Sequence, residues 1–148
     1  MKILRSDLPH CPELYGAVVV IDVLRSFTTT ACAFARGAAE VMPVDSVAAA
    51  QQLRARHPDA LAIGAVGGGA RAEGMDLGNS PSAVMALTLR GRRIIQYTAG
   101  GVRGLMACDH ARVLLAASLV NASATAAYLR LVRPPSVTLV TTGAWSEA

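Results

Sequence analysis

Residues 17–30 read AVVVIDVLRSFTTT, and this stretch carries the clearest structural signal in the chain. Its first five residues are apolar and mostly β-branched, which is typical of a strand that is buried on both faces. We therefore predict a strand over residues 17–22 and a helix over residues 26–36. Gly37 follows the helical pattern, and glycine is a common residue just past the end of a helix.

The same alternation of short apolar runs and helical stretches continues along the chain. Further strands are predicted over residues 40–44, 61–64, 94–97, 112–117 and 137–142. Further helices are predicted from the cap Ser46 to about residue 56, from the cap Ser80 to about residue 90, and over residues 101–108 and 122–132. Strands that alternate with helices indicate parallel strands joined by crossover helices. We expect an α/β fold, a three-layer sandwich with a mostly parallel sheet and helices on both faces, in a single domain over residues 1–148.

Composition argues against several classes of protein. Hydrophobic residues make up 53% of the chain, but the longest apolar runs fall far short of the roughly 20 residues that span a membrane. The first residues lack the apolar core of a signal peptide, so we expect a cytoplasmic protein without membrane contact. The three cysteines are far apart and form no C-x-x-C pair, which argues against a zinc site or a disulfide framework. Cys11 resembles an exposed thiol, whereas Cys32 and Cys108 fit buried positions.

The chain is basic, with a net charge of +4 and a pI of about 9.4. Its densest basic run is Arg90-Gly91-Arg92-Arg93, which leads into a predicted strand. Proteins that bind nucleic acids usually cluster basic residues and interleave aromatic ones, and aromatics are only 4% here. We interpret the run as a solvated turn and expect no nucleic-acid partner, with nucleic-acid binding as the weaker alternative.

Small polar and charged residues follow four of the predicted strands. They are Asp22, Arg25, Ser26 and Thr28 after the first strand, Asp76, Asn79 and Ser80 after the third, residues 98–103 after the fourth, and Ser118 and Asn121 after the fifth. Ligands of parallel α/β sheets bind outside the carboxyl ends of the strands. Small polar residues at helix starts let backbone N–H groups approach an anion, and Arg25 could add a bidentate contact. The residues therefore predict a site for a small anionic ligand, such as a phosphorylated one.

Two carboxylates, Asp22 and Asp76, lie among these residues and would repel an anion unless a cation bridged them. Mg²⁺ is the usual bridging ion, held by one or two carboxylates and by substrate oxygens. Each residue also has a structural interpretation. Asp22 could cap the following helix or pair with Arg25, and Ser80 and Asn121 are ordinary N-cap residues.

Three segments resemble the motifs of the 2-phosphosulfolactate phosphatase family. VVIDVLRSFTTT at residues 19–30 resembles the opening motif of that family, and GMDLGNSP at residues 74–81 resembles its second signature, G-F-D-x-G-N-S-P. SLVNAS at residues 118–123 is similar to the third, an S-x-x-N-A segment after a strand. The order and spacing fit, and the resemblance covers nearly the whole chain.

The resemblance implies a Mg²⁺-dependent phosphatase that hydrolyses 2-phosphosulfolactate to sulfolactate and phosphate, a step toward coenzyme M in the family's best-known setting. It also implies that the protein forms a homodimer. The small molecule that it binds would be a phosphorylated and sulfonated acid. Matching motifs make Asp22, Arg25 and Asp76 the candidate catalytic residues, with Asp22 and Asp76 also as Mg²⁺ ligands. The candidate substrate-binding residues are Thr28, Asn79, Ser80, Ser118 and Asn121.

The chain departs from the family pattern in three places. Gly64-Ala65-Val66 stands where members usually have a G-E-R-like segment, and residues 98–102 replace a T-N-G-T-like stretch. Family members also continue well past position 148, so this domain is expected to lack their C-terminal part. These departures keep a second hypothesis open: a non-catalytic homologue that binds an anion and has lost part of the active site.

Overall fold

The computed structural model describes residues 1–143, which form strands and helices in near-regular alternation. The strands are β1 (Lys2–Asp7), β2 (Ala17–Ile21), β3 (Glu40–Pro43), β4 (Leu61–Ala65), β5 (Arg93–Thr98), β6 (Val113–Ala117) and β7 (Ser136–Thr141). The α-helices are α1 (Ser26–Ala35), α2 (Val47–Arg56), α3 (Pro81–Met85), α4 (Gly101–Ala107) and α5 (Ala122–Val132). Short 3₁₀ turns span Leu8–Glu13, Gly67–Gly69 and Leu119–Asn121. None of the helices within residues 1–143 is long and apolar enough to cross a membrane.

The strands form two parallel sheets. One has the order β1-β7-β2-β6 and the other β3-β5-β4, and every strand pair is parallel. The predicted α/β class, with parallel strands and helices in a three-layer arrangement, is confirmed. The sequence pattern predicted one sheet, because periodicity identifies strands but does not say which of them pair.

Each sheet has apolar side chains on both faces, as the buried run at β2 predicts. Val18 and Val20 pack with Phe27 of α1, whereas Val19 on the opposite face packs with Leu129 of α5. The smaller sheet follows the same rule, with α2 on one face and α1 and α3 on the other. Helix α1 contributes to clusters on both sheets, and it therefore joins them.

Two elements differ from the sequence prediction. Strand β1 was not predicted, because it is an edge strand with mostly exposed residues and lacks a continuous apolar run. Helix α3 ends at Met85, although the pattern predicted a helix to about residue 90. The backbone N–H groups of Leu89 and Gly91 donate to the carbonyls of Arg36 and Gly37. These bonds to the end of α1 replace the bonds that would continue α3. Because they join segments that are distant in the sequence, no local pattern predicts them.

The cysteines also differ in part from expectation. Cys11 and Cys108 are both fully buried and belong to one apolar cluster, whereas Cys32 is half-buried. The prediction that Cys11 is exposed is wrong, because the 3₁₀ turn that contains it packs against α4. Burial, together with a hydrogen bond to Cys11, raises the pKa of the Cys108 thiol to about 12.

Candidate functional site

A cleft of about 550 Å³ opens where strand ends of the two sheets meet. Its lining comes from the segment just after β2, the carboxyl ends of β4 and β5, the residues just after β7, and Asn79. The cleft therefore lies at the edge where parallel α/β sheets place their ligands. Of the predicted site residues, Asp22, Arg25 and Asn79 come together here.

Asp22 connects the starts of two helices at the wall of the cleft. Its Oδ1 accepts a hydrogen bond from the backbone N–H of Ser26 at 3.2 Å, and its Oδ2 accepts one from Gly101 at 2.9 Å. These residues are the first of α1 and α4, so the positive ends of both helix dipoles stabilise the carboxylate. The capping interpretation of Asp22 is confirmed. Each carboxylate oxygen can still accept a further bond, so capping and ion binding are compatible.

Arg25 supplies a cation at the cleft. No ion pair joins its guanidinium to Asp22 or to another carboxylate in the part of the chain that the structure describes. The side chain passes closely over Gly69, where an added Cβ would lie only 2.3 Å from Nη2. Gly69 also has φ +82°, a conformation that glycine adopts readily. This glycine leaves the space that the guanidinium occupies.

Asn79 presents a buried oxygen that has no hydrogen-bond partner among residues 1–143. The residue is 7% exposed and lines the cleft, and its Oδ1 accepts no bond from another described residue. An unsatisfied buried acceptor costs about 1–3 kcal/mol, so such atoms usually mark a missing water, ion or ligand. Asn79 therefore indicates where a bound species would complete the site.

Buried hydroxyls connect two helices to β5 at the cleft. The Oγ of Ser26 and the Oγ1 of Thr98 lie 3.0 Å apart, and Thr98 also accepts from the backbone N–H of Val102 at 3.1 Å. These bonds connect α1, β5 and α4. Thr98 belongs to the segment 98–103 that the sequence places after a predicted strand at the site, although no individual role was predicted for its side chain.

Asp76 lies in a different environment from Asp22. Its carboxylate accepts from Arg54 at 2.8 Å and from the backbone N–H of Ala62 at 2.8 Å. Ala62 is three residues before Ala65 in β4, or about 10 Å along the strand, and only Ala65 lines the cleft. Asp76 thus holds the start of β4 to α2. Its catalytic and metal-binding role stays a prediction, without a contact in the cleft.

The other predicted substrate-binding residues make local hydrogen bonds. The Oγ of Ser80 accepts from Ala83 and caps α3, and the Oγ1 of Thr28 donates to a nearby carbonyl. Asn121 and Ser118 form a capping box after β6. Ser118 follows Ala117, whose carbonyl accepts from the backbone N–H of Asp22. None of these four residues is part of the cleft lining as the described residues form it.

A larger cleft of about 960 Å³ lies at the opposite end of the three-stranded sheet. It includes two arginines of the basic run, and both have protein partners. Arg93 pairs with Glu40 at 2.6 Å, and Arg92 donates to the carbonyl of Asp59 at 2.9 Å. These two arginines are therefore less available for a ligand than Arg25 is.

The oxygens of the smaller cleft suit a hard cation. Among the described residues there is no group of three or more His, Cys, Asp and Glu side chains that could hold a metal. Mg²⁺ does not require one, because it keeps several waters and usually binds one or two carboxylates plus substrate oxygens. Asp22 and Asn79 both line this cleft, and they carry a carboxylate and an amide oxygen without a partner among residues 1–143, which are donors of this type. The residues present fit the ion.

Comparison with known proteins agrees with the motifs. A sequence model described as 2-phosphosulpholactate phosphatase matches residues 3–148. A protein of Carboxydothermus hydrogenoformans named probable 2-phosphosulfolactate phosphatase is 44% identical over 113 residues, which cover 76% of this chain and 46% of the relative. A protein of the same name in Synechococcus sp. is 41% identical over 152 aligned positions, which cover 98% of this chain and 62% of the relative. A relative of the same name in Deinococcus radiodurans is 37% identical over 144 positions, which cover 95% of this chain and 58% of the relative.

The matched regions span about half of each relative's length, and nearly all of this chain falls within the family model. The resemblance predicted from residues 19–30, 74–81 and 118–123 is confirmed. This chain belongs to the 2-phosphosulpholactate phosphatase family.

Proposed function

We propose that this chain hydrolyses the phosphate monoester of a small acid, 2-phosphosulfolactate or a related phosphorylated acid. The products are inorganic phosphate and the free hydroxy acid, which is sulfolactate for the first substrate. Family membership and the names of the relatives support the phosphatase class. The cytoplasmic location, the homodimer and the step toward coenzyme M stay predictions.

The observation that carries the proposal is the buried Oδ1 of Asn79, which has no hydrogen-bond partner among residues 1–143, at a cleft that Arg25 also lines without an ion pair to any of those residues. Arg25 and Asn79 line one cleft with Asp22, so an anion and a bridging cation can be bound together. In a phosphate monoester with Mg²⁺, the Mg²⁺ would bind the oxygens of Asp22 and Asn79, and the phosphate oxygens would accept hydrogen bonds from Arg25.

Each side chain has a distinct part in the proposed reaction. Arg25 binds two phosphate oxygens with its planar fork and neutralises charge that develops there. Asp22 and Asn79 would hold Mg²⁺, which supplies Lewis-acid polarisation of the phosphoryl group when bound. Water attacks phosphorus in line, the ester P–O bond breaks, and the alcohol leaves with a proton. Asp22 stays fixed by its two backbone donors, so its oxygens are preorganised.

The test is phosphate release from 2-phosphosulfolactate with Mg²⁺, with EDTA, and with Mg²⁺ restored. We expect release only with Mg²⁺. Arg25→Met should lower kcat/KM about 100-fold, because removing one donor to a developing charge costs about 10²–10³. Arg92→Met, which removes a paired arginine of the opposite cleft, is the matched control and should keep full activity. Equal losses in the two variants would contradict the role of Arg25.

A non-catalytic homologue that binds an anion is the second candidate. The specific observation in its favour is that Asp22 is the one carboxylate that lines the cleft within residues 1–143, since Asp76 binds Arg54. Calorimetry with sulfolactate distinguishes the two candidates. Binding of sulfolactate without phosphate release from its ester supports the second candidate, and turnover excludes it.

A further inference from the structure

A buried glutamine lies in the middle of β5, where the packing of the sheet does not require a polar residue. Gln96 is 2% exposed, and its neighbours Ile94 and Ile95 are buried apolar residues. Burying a side-chain amide is costly unless protein groups replace its hydrogen bonds to water. Leucine would fill a similar volume without that requirement. Gln96 is therefore a candidate for a role beyond packing.

The Gln96 amide binds the first turn of α1. Its Nε2 donates to the backbone carbonyl of Ser26 at 3.1 Å, and its Oε1 accepts from the Oγ1 of Thr30 at 2.6 Å. Both partners belong to α1, whereas Gln96 belongs to a strand of the smaller sheet. Buried polar groups that are all hydrogen-bonded hold one another in a single arrangement. The amide therefore fixes the start of α1 relative to β5.

Ser26 passes this constraint on to the cleft. Its carbonyl accepts from Gln96, its N–H donates to the Oδ1 of Asp22 at 3.2 Å, and its Oγ lies 3.0 Å from the Oγ1 of Thr98. Arg25 directly precedes Ser26 and shares a peptide bond with it. Asp22 and Arg25 both line the cleft, so a displacement of Ser26 would shift both charged groups.

We propose that Gln96 is a positioning residue for the phosphatase reaction. By holding Ser26, it sets the place of the Asp22 carboxylate, which would bind Mg²⁺, and of the Arg25 guanidinium, which would bind phosphate. The inference rests on the proposed function, because it takes this cleft as the place where the metal and the phosphate bind. Gln96 is not part of the cleft lining, so it acts through Ser26 and not by contact with the ligand.

The Gln96→Leu variant removes the amide and keeps a side chain of similar size. Thr30 and Ser26 can still pair in this variant, because the Oγ1 of Thr30 also donates to the Ser26 carbonyl at 3.2 Å. Neither group is left buried without a partner, so we expect Tm to change little. The Nε2 bond that holds α1 to β5 is lost. Metal affinity should fall about tenfold, the lower end of the range for groups that orient a metal ligand.

The Thr30→Val variant makes the opposite change. It keeps the bond from Gln96 to the Ser26 carbonyl, but the buried Oε1 of Gln96 loses its partner. An unsatisfied buried acceptor destabilises a fold, so this variant should lower Tm more than Gln96→Leu does. Its metal affinity should stay close to that of the wild type. A purely structural role for Gln96 would instead give the same order of the two variants in Tm and in affinity.

Ile95→Val is the matched control at the neighbouring position. Ile95 is fully buried and packs on the other face of β5, in the cluster that contains Met75. Removing one methyl group lowers stability without touching Ser26. We expect a lower Tm and an unchanged metal affinity.

Metal affinity is measured with Mn²⁺, which prefers the same oxygen ligands as Mg²⁺ and whose free ion gives an electron paramagnetic resonance signal. Affinity for inorganic phosphate is measured by calorimetry with Mn²⁺ present, and Tm by circular dichroism. Phosphate release from 2-phosphosulfolactate with Mg²⁺ is measured for the same variants. Gln96→Leu should lower the affinity for Mn²⁺ and kcat/KM by similar factors of about ten.

Three results would overturn the inference: wild-type affinity for Mn²⁺ in Gln96→Leu, metal affinities that follow Tm across the three variants, or no Mn²⁺ binding by the wild type. Failure of the proposed function gives a different result, because the wild type then releases no phosphate. The Mn²⁺ affinities decide the inference alone in that case. Phosphate release at the same rate by the wild type and Gln96→Leu would support the proposed function and overturn the inference.

Discussion

Replacing Gly101 with alanine should disturb the contact between α1 and α4 at the cleft. An added Cβ would lie 2.7 Å from Oδ2 of Asp22, 2.8 Å from its Cβ and 2.9 Å from the Cβ of Ser26. Two of these atoms are attached directly to the backbone, so rotating a side chain cannot relieve the overlap. One helix start must move, and the 2.9 Å bond from Gly101 to Asp22 weakens.

The expected cost follows from these two effects. Overpacking costs about 1–3 kcal/mol, and a hydrogen bond to a charged group contributes about 1.5–3 kcal/mol. The two losses overlap, so we expect the free energy of unfolding to fall by about 2–4 kcal/mol, which lowers Tm by roughly 5–15 °C. Thermal and urea unfolding followed by circular dichroism measure both quantities.

Gly67→Ala is the control for this prediction. An added Cβ at Gly67 meets nothing within 4 Å, and its φ lies outside the left-handed region. Its effect should stay within about 0.5 kcal/mol, as for other unhindered surface changes. Equal stability of Gly101→Ala and Gly67→Ala would refute the packing argument, because it would mean that the two helix starts have room for the methyl group.

Four further predictions concern the cleft and the core. Gly69→Ala should weaken phosphate binding about tenfold, because its Cβ displaces the guanidinium over the turn. Gly91 has a similar positive φ, but an added Cβ there meets open space. The Gly91→Ala variant should therefore lose a similar free energy of unfolding and keep its affinity for phosphate in calorimetry. Asp76→Asn should lower the free energy of unfolding by about 1–2 kcal/mol and leave Mg²⁺ affinity unchanged; loss of Mg²⁺ binding would instead support the ligand role predicted from the motif. Asn79→Ala should weaken Mg²⁺ binding in titrations while costing little stability, since its oxygen has no hydrogen-bond partner to lose among residues 1–143. Cys32 should react with iodoacetamide before the two buried thiols, and mass spectrometry of the labelled peptides would contradict this if all three reacted together.

Local signals predicted several elements closely. Ser46 predicted the start of α2, and its Oγ accepts from the N–H of Ala49 at 3.1 Å. The predicted helix over residues 122–132 matches α5 (Ala122–Val132). In both cases the determining interactions lie within one turn of the chain, so the sequence alone contains them.

Pairing between distant segments explains what the sequence could not predict. Asp76 and Asn79 belong to one motif, yet only Asn79 reaches the cleft. The N–H groups of Asp76 and Leu77 both donate to the carbonyl of Ala62, which fixes this part of the motif beside the start of β4. A motif identifies residues that belong to a site region, but strand pairing decides which side chains face the ligand.

Asp22 and Asn79 differ in what a substitution at each can reveal. Asp22 lines the cleft and also accepts from two helix starts, so any change there alters the fold together with the chemistry. Asn79 lines the same cleft, and its Oδ1 accepts no hydrogen bond among residues 1–143. Keeping a buried acceptor unsatisfied costs about 1–3 kcal/mol. A protein tolerates that cost at a site where contact with a bound species offsets it. A loss of ligand affinity at Asn79 therefore reports on the site itself, whereas the same loss at Asp22 would also report on the packing of α1 against α4.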